Sequence, residues 1–385
     1  MTRRLGTAIT LAFAVALAVA RASAAFATTP ATTPANAPPG APAARAPAPD
    51  TTYAAVRPGQ PLRFPQDLGA HPRFRTEWWY VTGWLHTATG APLGFQITFF
   101  RERPDIWRGN PSAFTPRQIL IAHCAIADPA HRALWRAERI ERAGFGLAAA
   151  STGDTAVWIG RWRLVHRNGV YQGQCQGANF ALDLTFSPTE APIPNGVDGY
   201  SRKGADPNAA SEYYSIPQLR VSGRIERRGH ADAVSGDAWL DHEWSSAYLE
   251  RAAVGWDWIG LNLRDGGSLM AFRIRGANDA VLWAGGTSSD PAHRIRILAP
   301  DEIRFTPLRE WTSPATGIRY PVEWRIQAGN RRLTLRPLLD DQENDARATS
   351  GAVYWEGAVR AFEHGRVIGH GYLELTGYGA PLRLR

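Results

Sequence analysis

Lysine is almost missing from this chain. Of 43 basic residues, only Lys203 is a lysine. Cysteine and methionine are equally sparse, at two each. Long amphipathic helical windows are scarce, which argues against a helical bundle or an alternating helix–strand fold. No phosphate loop or dinucleotide fingerprint is present, so ordinary nucleotide chemistry has no motif to stand on. The His-Glu-x-x-His zinc pattern is missing, because His242-Glu243 lacks its second histidine. Gly199-Tyr200-Ser201 begins like a serine-hydrolase elbow, but Lys203 stands where the second glycine belongs. Basic runs of nucleic-acid type are absent too, so no nucleic-acid partner is expected.

The formal charge of +8 falls by three, to +5, when Arg3, Arg4 and Arg21 are set aside with the leader. Arg3 and Arg4 precede an apolar stretch from Leu5 to Ala20, followed by the small-residue cleavage patterns Ala22-Ser23-Ala24 and Ala25-Phe26-Ala27. That stretch is roughly 16 residues, short of the roughly 20 a spanning helix needs. Residues 1–24 therefore read as an export signal, and the protein is expected in the periplasm or outside the cell. No second run reaches membrane length, so no stable span is expected after cleavage. Residues 25–60 are rich in Ala, Pro and Thr and read as a solvated linker.

Beyond residue 60 the pattern is β. Trp78, Tyr80, Thr82, Trp84 and His86 alternate with Glu77, Trp79, Val81, Gly83 and Leu85. After a turn at Gly90, Leu93, Phe95, Ile97 and Phe99 share a face. Strands are also predicted over 118–127, 157–166 and 179–186, with Ala130–Arg142 the best short helical candidate between strands. The second half repeats the plan: Trp256–Leu263, a turn at Asp265-Gly266-Gly267, then Leu269–Ile274. Hairpins are expected around Gly329-Asn330 and Glu363-His364-Gly365. Two related units, 61–248 and 253–385, are predicted, each closing as an antiparallel barrel because closure removes exposed edges. Cys124 and Cys175 are free thiols or a disulfide; an exported location permits the bond.

The densest chemistry is Asp241-His242-Glu243-Trp244, three ionisable groups in a row inside an apolar strand. Strand alternation puts Asp241 and Glu243 on one face with Trp239, and His242 and Trp244 on the other with Leu240. The cluster therefore cannot all enter one cavity without a bulge. Lys203 marks either a place that needs a compact ammonium or a chance survivor in a loop.

Glu77-Trp78-Trp79-Tyr80, His123 in Ile121-Ala122-His123-Cys124-Ala125, Gly199-Tyr200-Ser201-Arg202-Lys203-Gly204 and Asp241-His242-Glu243-Trp244 together resemble the AttH-like proteins. That group includes the carotenoid 1,2-hydratases (hydroxyneurosporene synthases). The resemblance runs over about 73 to 380 and is denser in the first half. It implies an all-β chain of two tandem lipocalin-like antiparallel β-barrel domains. It also implies the handling of long apolar molecules.

Three functional readings follow. The first is enclosure of an extended apolar ligand, such as an isoprenoid or acyl chain. Burying ten carbons at about 0.8 kcal/mol each gives roughly 8 kcal/mol, near micromolar affinity. Candidate contacts are Glu77, Trp78, Tyr80, His123, Trp244, Trp256 and Trp258. The second is acid-catalysed hydration or hydrolysis with no cofactor or metal, using Asp241, His242, Glu243, Lys203 and Asp257. A carboxyl in an apolar wall stays protonated near neutrality, and indole faces stabilise a cation. The third is an envelope-assembly or transporter partner that holds no ligand, with the acid cluster serving as a polar network between the barrels.

Overall fold

The computed structural model describes residues 53–105 and 110–382. The leader at 1–24 and most of the linker lie outside the described residues. No described helix is long and apolar enough to cross a membrane.

Among the described residues the fold is strands joined by turns, with three short 3-10 segments. The first sheet holds β1 (Thr76–Thr87), β2 (Pro92–Glu102), β3 (Ile119–Asp128), β4 (Ala133–Arg142), β5 (Ala148–Ala150), β6 (Ala156–Ile159) and β7 (Trp162–Arg167). It continues with β8 (Val170–Gln176), β9 (Phe180–Ser187), β10 (Ile193–Pro194), β11 (Tyr200–Arg202), β12 (Ala210–Arg227) and β13 (His230–Ala247). The second sheet holds β14 (Ala253–Leu263), β15 (Ser268–Gly276), β16 (Val281–Ser289), β17 (Ile295–Leu298) and β18 (Ile303–Thr312). It ends with β19 (Arg319–Ala328), β20 (Arg331–Pro337), β21 (Glu343–Ala346), β22 (Ala352–Glu363) and β23 (Arg366–Leu375). All recorded pairings are antiparallel.

The first sheet runs β4-β3-β2-β1-β13-β12-β9-β8-β7-β6-β5 and nearly closes into a barrel, with β3 and β4 lying against β6. The second runs β17-β16-β15-β14-β23-β22-β20-β19-β18, and β18 packs back on β15 and β16. Each interior is filled. Val81, Phe95, Ile97, Leu164 and Leu240 belong to the first core, and Ile259, Val322, Trp324, Leu335 and Leu373 to the second.

Burial distinguishes two kinds of strand. β9 alternates buried Phe180, Leu182, Leu184 and Phe186 with more exposed residues, so only one of its faces is covered. β1, β2, β14 and β15, and the stretch of β13 from Ala238 to Ser245, are buried along most of their length on both faces. Their second faces meet between the sheets, around Tyr80, Trp84, Tyr213, Trp239, Trp258, Met270, Phe272 and Tyr372. Trp84 Nε1 donates to the Gly371 carbonyl at 3.0 Å, and Asn262 Nδ2 to that of Ala238 at 2.9 Å. A register shift in β12 between Ile216 and Leu219 leaves Gln218 at φ +54°. That costly conformation is offset by bonds to the second sheet. Gln218 N reaches Asn262 Oδ1 at 2.9 Å, and its Nε2 reaches the carbonyls of Leu263 and Gly267 at 3.0 and 2.7 Å. Gly94 permits the close approach: a Cβ there would lie 2.7 Å from Ala358 Cβ and 2.9 Å from Tyr372 Oη.

Two expectations change, and one open alternative is decided. Ala130–Arg142 is not helical; Ala133–Arg142 forms β4, because its backbone pairs with β3 along its whole length and tertiary pairing overrides a weak local preference. The strand expected over 157–166 is two strands, broken at Gly160, which turns at φ +57°. Cys124 on β3 and Cys175 on β8 form a disulfide with Cα atoms 6.6 Å apart.

Candidate functional site

A cavity of about 730 Å³ lies between the two sheets. A lipocalin-like barrel ordinarily holds its ligand in its interior. The packed barrel interiors leave it instead on the faces that the sheets turn towards each other.

Register builds the first wall in rows. One row is His123, Thr98, Tyr80, Asp241 and Ser215, on β3, β2, β1, β13 and β12. Two residues along is Ile121, Phe100, Trp78, Glu243 and Tyr213. Thr98, Tyr80 and Asp241 are buried, whereas Phe100, Trp78 and the next residue along β2, Glu102, are part-exposed. The cavity therefore opens towards Glu102, with a polar floor beneath an aromatic belt. The second wall repeats the device: Phe272, Trp258, Glu374 and Glu356 stand side by side on β15, β14, β23 and β22.

Asp241 is held by three donors. Tyr213 Oη, Ser215 Oγ and Trp239 Nε1 all donate at 2.6 Å. Burial pushes its carboxyl up to about 7 against the pull of those bonds, and neighbouring Glu243 adds to the rise. Trp258 Nε1 donates to Tyr213 Oη at 3.0 Å, which joins the second sheet to this network. Glu243 pairs with Lys203 Nζ at 2.8 Å and accepts from Ser211 Oγ. Burial raises the Glu243 carboxyl, opposed by the Lys203 charge. Burial likewise lowers the Lys203 ammonium, opposed by Glu243. The ammonium also lies 4.2 Å from the Phe272 ring centre and 4.8 Å from that of Tyr213. This small space between rings suits a compact cation, and the single lysine occupies it.

Glu374 accepts from Trp256 Nε1 at 2.9 Å. Burial pushes its carboxyl up to about 7, with Asp241 and Glu243 adding to the rise. Glu356 is raised well above the ordinary range by burial and by Glu374 beside it. His123 Nδ1 lies 2.7 Å from Tyr354 Oη and its Nε2 3.0 Å from Thr349 Oγ1, and burial lowers its imidazole to about 4. The ring is neutral at physiological pH.

Trp78, Tyr80, His123, Lys203, Asp241, Glu243, Trp256 and Trp258 thus line one cavity. Four other candidates point away from it. Glu77, His242 and Trp244 lie on the barrel side of the first sheet, because each is one residue out of phase with a cavity residue. Glu77 accepts from Arg101 Nε at 2.6 Å and from the His71 backbone N–H at about 3 Å, and lies 2.8 Å from His71 Nδ1 and 2.9 Å from His242 Nε2. Burial alone would raise the Glu77 carboxyl; Arg101 and the two imidazoles hold it well below the ordinary range instead. His242 is pushed down to about 4 by burial despite Glu77. Asp257 is the fourth, bound inside the second sheet by Arg273 Nε at 2.6 Å, Arg275 Nε at 3.1 Å and Tyr378 Oη at 3.0 Å.

His71, Glu77 and His242 have ligand atoms within 4.8 Å of one another, a spacing that suits a metal ion. Arg101 already supplies a cation to Glu77, and both imidazoles already bond to it. The donor set is a closed ion-pair network, a poor fit to a metal.

Sequence reading missed Glu356 and Glu374. The internal repeat carried the signal. Glu77 stands opposite Arg101 as Asp257 stands opposite Arg273. Trp78 stands beside Glu243 as Trp258 stands beside Glu374, and Tyr213 beside Glu243 as Glu356 beside Glu374. Glu374 is thus the second-sheet counterpart of Glu243.

A family model described as AttH-like matches residues 55–378. The crystal structure of a protein from Nitrosomonas europaea, described as an AttH, is 49% identical and superposes with a TM-score of 0.79, over 84% of this chain and 99% of that one. Kievitone hydratase from Nectria haematococca superposes with a TM-score of 0.64 at 14% identity, over 85% of this chain and 96% of that one. CghA in complex with Sch210972 reaches 0.50 at 12% identity, over 79% and 89%. The last two likenesses concern the fold alone. No curated protein matches the sequence.

Proposed function

The chain belongs to the AttH-like family, of lipocalin-like fold, and from that premise we propose that it encloses an extended, unsaturated apolar molecule between its two sheets and adds water to it by acid–base catalysis. One observation carries the reading. Carboxyl groups enter an aromatic-walled cavity of about 730 Å³ from both sides, Asp241, Glu243 and, at the mouth, Glu102 from the first sheet and Glu356 and Glu374 from the second. A cavity built only to hold an apolar molecule gains nothing from buried acids, which cost free energy to desolvate.

Asp241 is the base. Its two oxygens already accept three hydrogen bonds, an arrangement that suits the ionised form. Glu374 has one donor and a carboxyl pushed up to about 7, so it supplies the proton. The Glu374 proton passes to an alkene carbon, and the neighbouring carbon becomes a cation. The faces of Trp78, Trp256 and Trp258 stabilise that cation by about 0.5–2 kcal/mol. Water attacks the cation, forming the C–O bond, and its released proton goes to Asp241. Exchange with solvent returns the proton to Glu374, closing the cycle with no redox change. Lys203 opposes the burial that favours protonation of Glu243, and the pair adds no net charge beside the reacting centre. That a hydratase, kievitone hydratase, shares the fold supports the class of reaction.

Export is part of the proposal. The leader directs it, and the buried Cys124–Cys175 disulfide suits an oxidising compartment.

The test is turnover of a panel of terpenoid alkenes in ¹⁸O-labelled water by wild type, Asp241→Asn and Glu374→Gln. Label in an alcohol product from wild type alone supports the reading. Equal product from all three removes these acids from catalysis. Native mass spectrometry of the protein from its own envelope tests enclosure: a co-purifying lipid supports it, and a consistently empty protein counts against it.

A further inference from the structure

Two polar atoms on the cavity floor lack a hydrogen bond of full geometry. Among the described residues, Tyr80 Oη and Glu356 Oε1 make no hydrogen bond. Yet Tyr80 is 6% exposed and Glu356 3%. They face each other from opposite sheets, near enough for a weak mutual interaction of hydrogen-bond type, but neither atom reaches the geometry of a full bond. Gln96 Oε1, on the neighbouring strand of the same wall, is a third such atom.

Folded proteins pair nearly all of their buried polar groups. Orphans clustered on a cavity wall mark a place where the ligand supplies the partner. The other polar groups of the floor are occupied. Asp241 has three donors, Glu243 has Lys203 and Ser211, and His123 has Tyr354 and Thr349. The belt above is Phe100, Ile121, Trp78 and Ile274, which offers a polar group little to bond.

We infer that the ligand enters polar end first: an oxygen-bearing head, carbonyl or hydroxyl, sits against the Tyr80–Glu356 pair and completes its bonding, and its apolar remainder runs back through the aromatic belt to the mouth. This rests on the proposed enclosure of an apolar ligand and narrows its class from hydrocarbons to neutral, mono-oxygenated apolar molecules. Burial keeps both side chains in the proton-bearing form, so each offers an O–H donor and an acceptor oxygen. A carboxylate head is excluded. It would meet Asp241, Glu243, Glu356 and Glu374, and the only ammonium nearby is already paired with Glu243.

The probes are 2-dodecanone, 2-dodecanol, dodecane and dodecanoate, with binding read from the intrinsic tryptophan fluorescence of the intact exported chain. The ketone and alcohol are expected to bind at least about tenfold more tightly than dodecane, a difference of about 1.4 kcal/mol. Dodecanoate is expected to bind no better than dodecane. In Tyr80→Phe and Glu356→Leu the preference for the oxygenated probes collapses while dodecane affinity is kept. Glu356→Gln, which retains a donor, keeps part of the preference and guards against a variant that fails to fold. Equal affinity for ketone and dodecane in wild type, a preference that survives both Tyr80→Phe and Glu356→Leu, or tightest binding of dodecanoate would each overturn the inference. If no probe binds a folded protein, enclosure itself fails, and this inference with it.

Discussion

Glu77→Gln is the substitution that separates the two faces of the first sheet. Glu77 lies on the barrel side, fully buried, and bonds to Arg101, His71 and His242. The amide is nearly isosteric but carries no charge. Its NH₂ also turns donor towards donor, because every present partner of Glu77, both imidazoles included, donates to it. Arg101 is 0% exposed, so its guanidinium is left as an uncompensated buried cation. Removing one partner of a buried ion pair costs about 3–5 kcal/mol. That is a large part of the roughly 5–15 kcal/mol that holds a typical domain together. Urea unfolding monitored by fluorescence and far-UV circular dichroism gives the difference directly. The pH dependence adds a second signature. The folded carboxyl titrates well below its ordinary value near 4.5. Its contribution is therefore complete above about 4.5 and is lost as pH falls through the depressed folded value. The variant should lose that part of its acid sensitivity. Replacing both partners by apolar residues, Glu77→Leu with Arg101→Met, should recover much of the loss. A cost below about 1 kcal/mol, or abolished ligand binding with stability unchanged, would refute the structural assignment of Glu77.

Three further outcomes are expected. Hydration activity should follow a narrow bell centred near pH 7, because it needs Asp241 ionised, which activity gains as pH rises, and Glu374 protonated, which it loses; Asp241→Asn or Glu374→Gln should lower kcat by about 10²-fold or more in steady-state assays, and a flat profile would sink the assignment. Removing the disulfide with Cys124→Ser and Cys175→Ser should cost about 4 kcal/mol for a cross-link spanning 51 residues, read by denaturant titration; an unchanged midpoint would count against a formed bond. Gly94→Val should cost about 1–3 kcal/mol by thermal melting and weaken ligand binding, since its side chain would wedge Ala358 and Tyr372 away; full retention of both would show that the sheets do not meet there.

Much of the cavity wall was legible in the sequence through one rule. The two-residue strand period assigned Asp241 and Glu243 to one face and His242 and Trp244 to the other, and the register places them so. The hairpins at Gly90, Gly266, Gly329 and Gly365 were legible because each turn needs a positive φ that glycine supplies. The location of the cavity was not. A strand apolar on both faces announces that both are covered, but its sequence does not say which face meets a barrel core and which a second sheet. Glu77 and Asp257 were grouped with the site for that reason; their partners Arg101, Arg273 and Arg275 stand across the adjacent hairpins, where only the register pairs them. Glu356 and Glu374 were hidden by looser spacing in the second half, and became visible once the repeat could be aligned by register.

Strand alternation also governs how such a protein can change. Along β1 and β13, neighbouring residues answer to different demands: 77, 79, 242 and 244 face the barrel interior, while 78, 80, 241 and 243 face the cavity. A new ligand can be accommodated by rewriting every second letter while the letters between remain fixed by the fold. Insertion or deletion of one residue in either strand is a different event. It would exchange the two alphabets at a stroke, turning Arg101's partner outward and the cavity acids into the packed core. Evolution of specificity in this architecture therefore runs through substitution, and its loops, not its central strands, absorb changes in length.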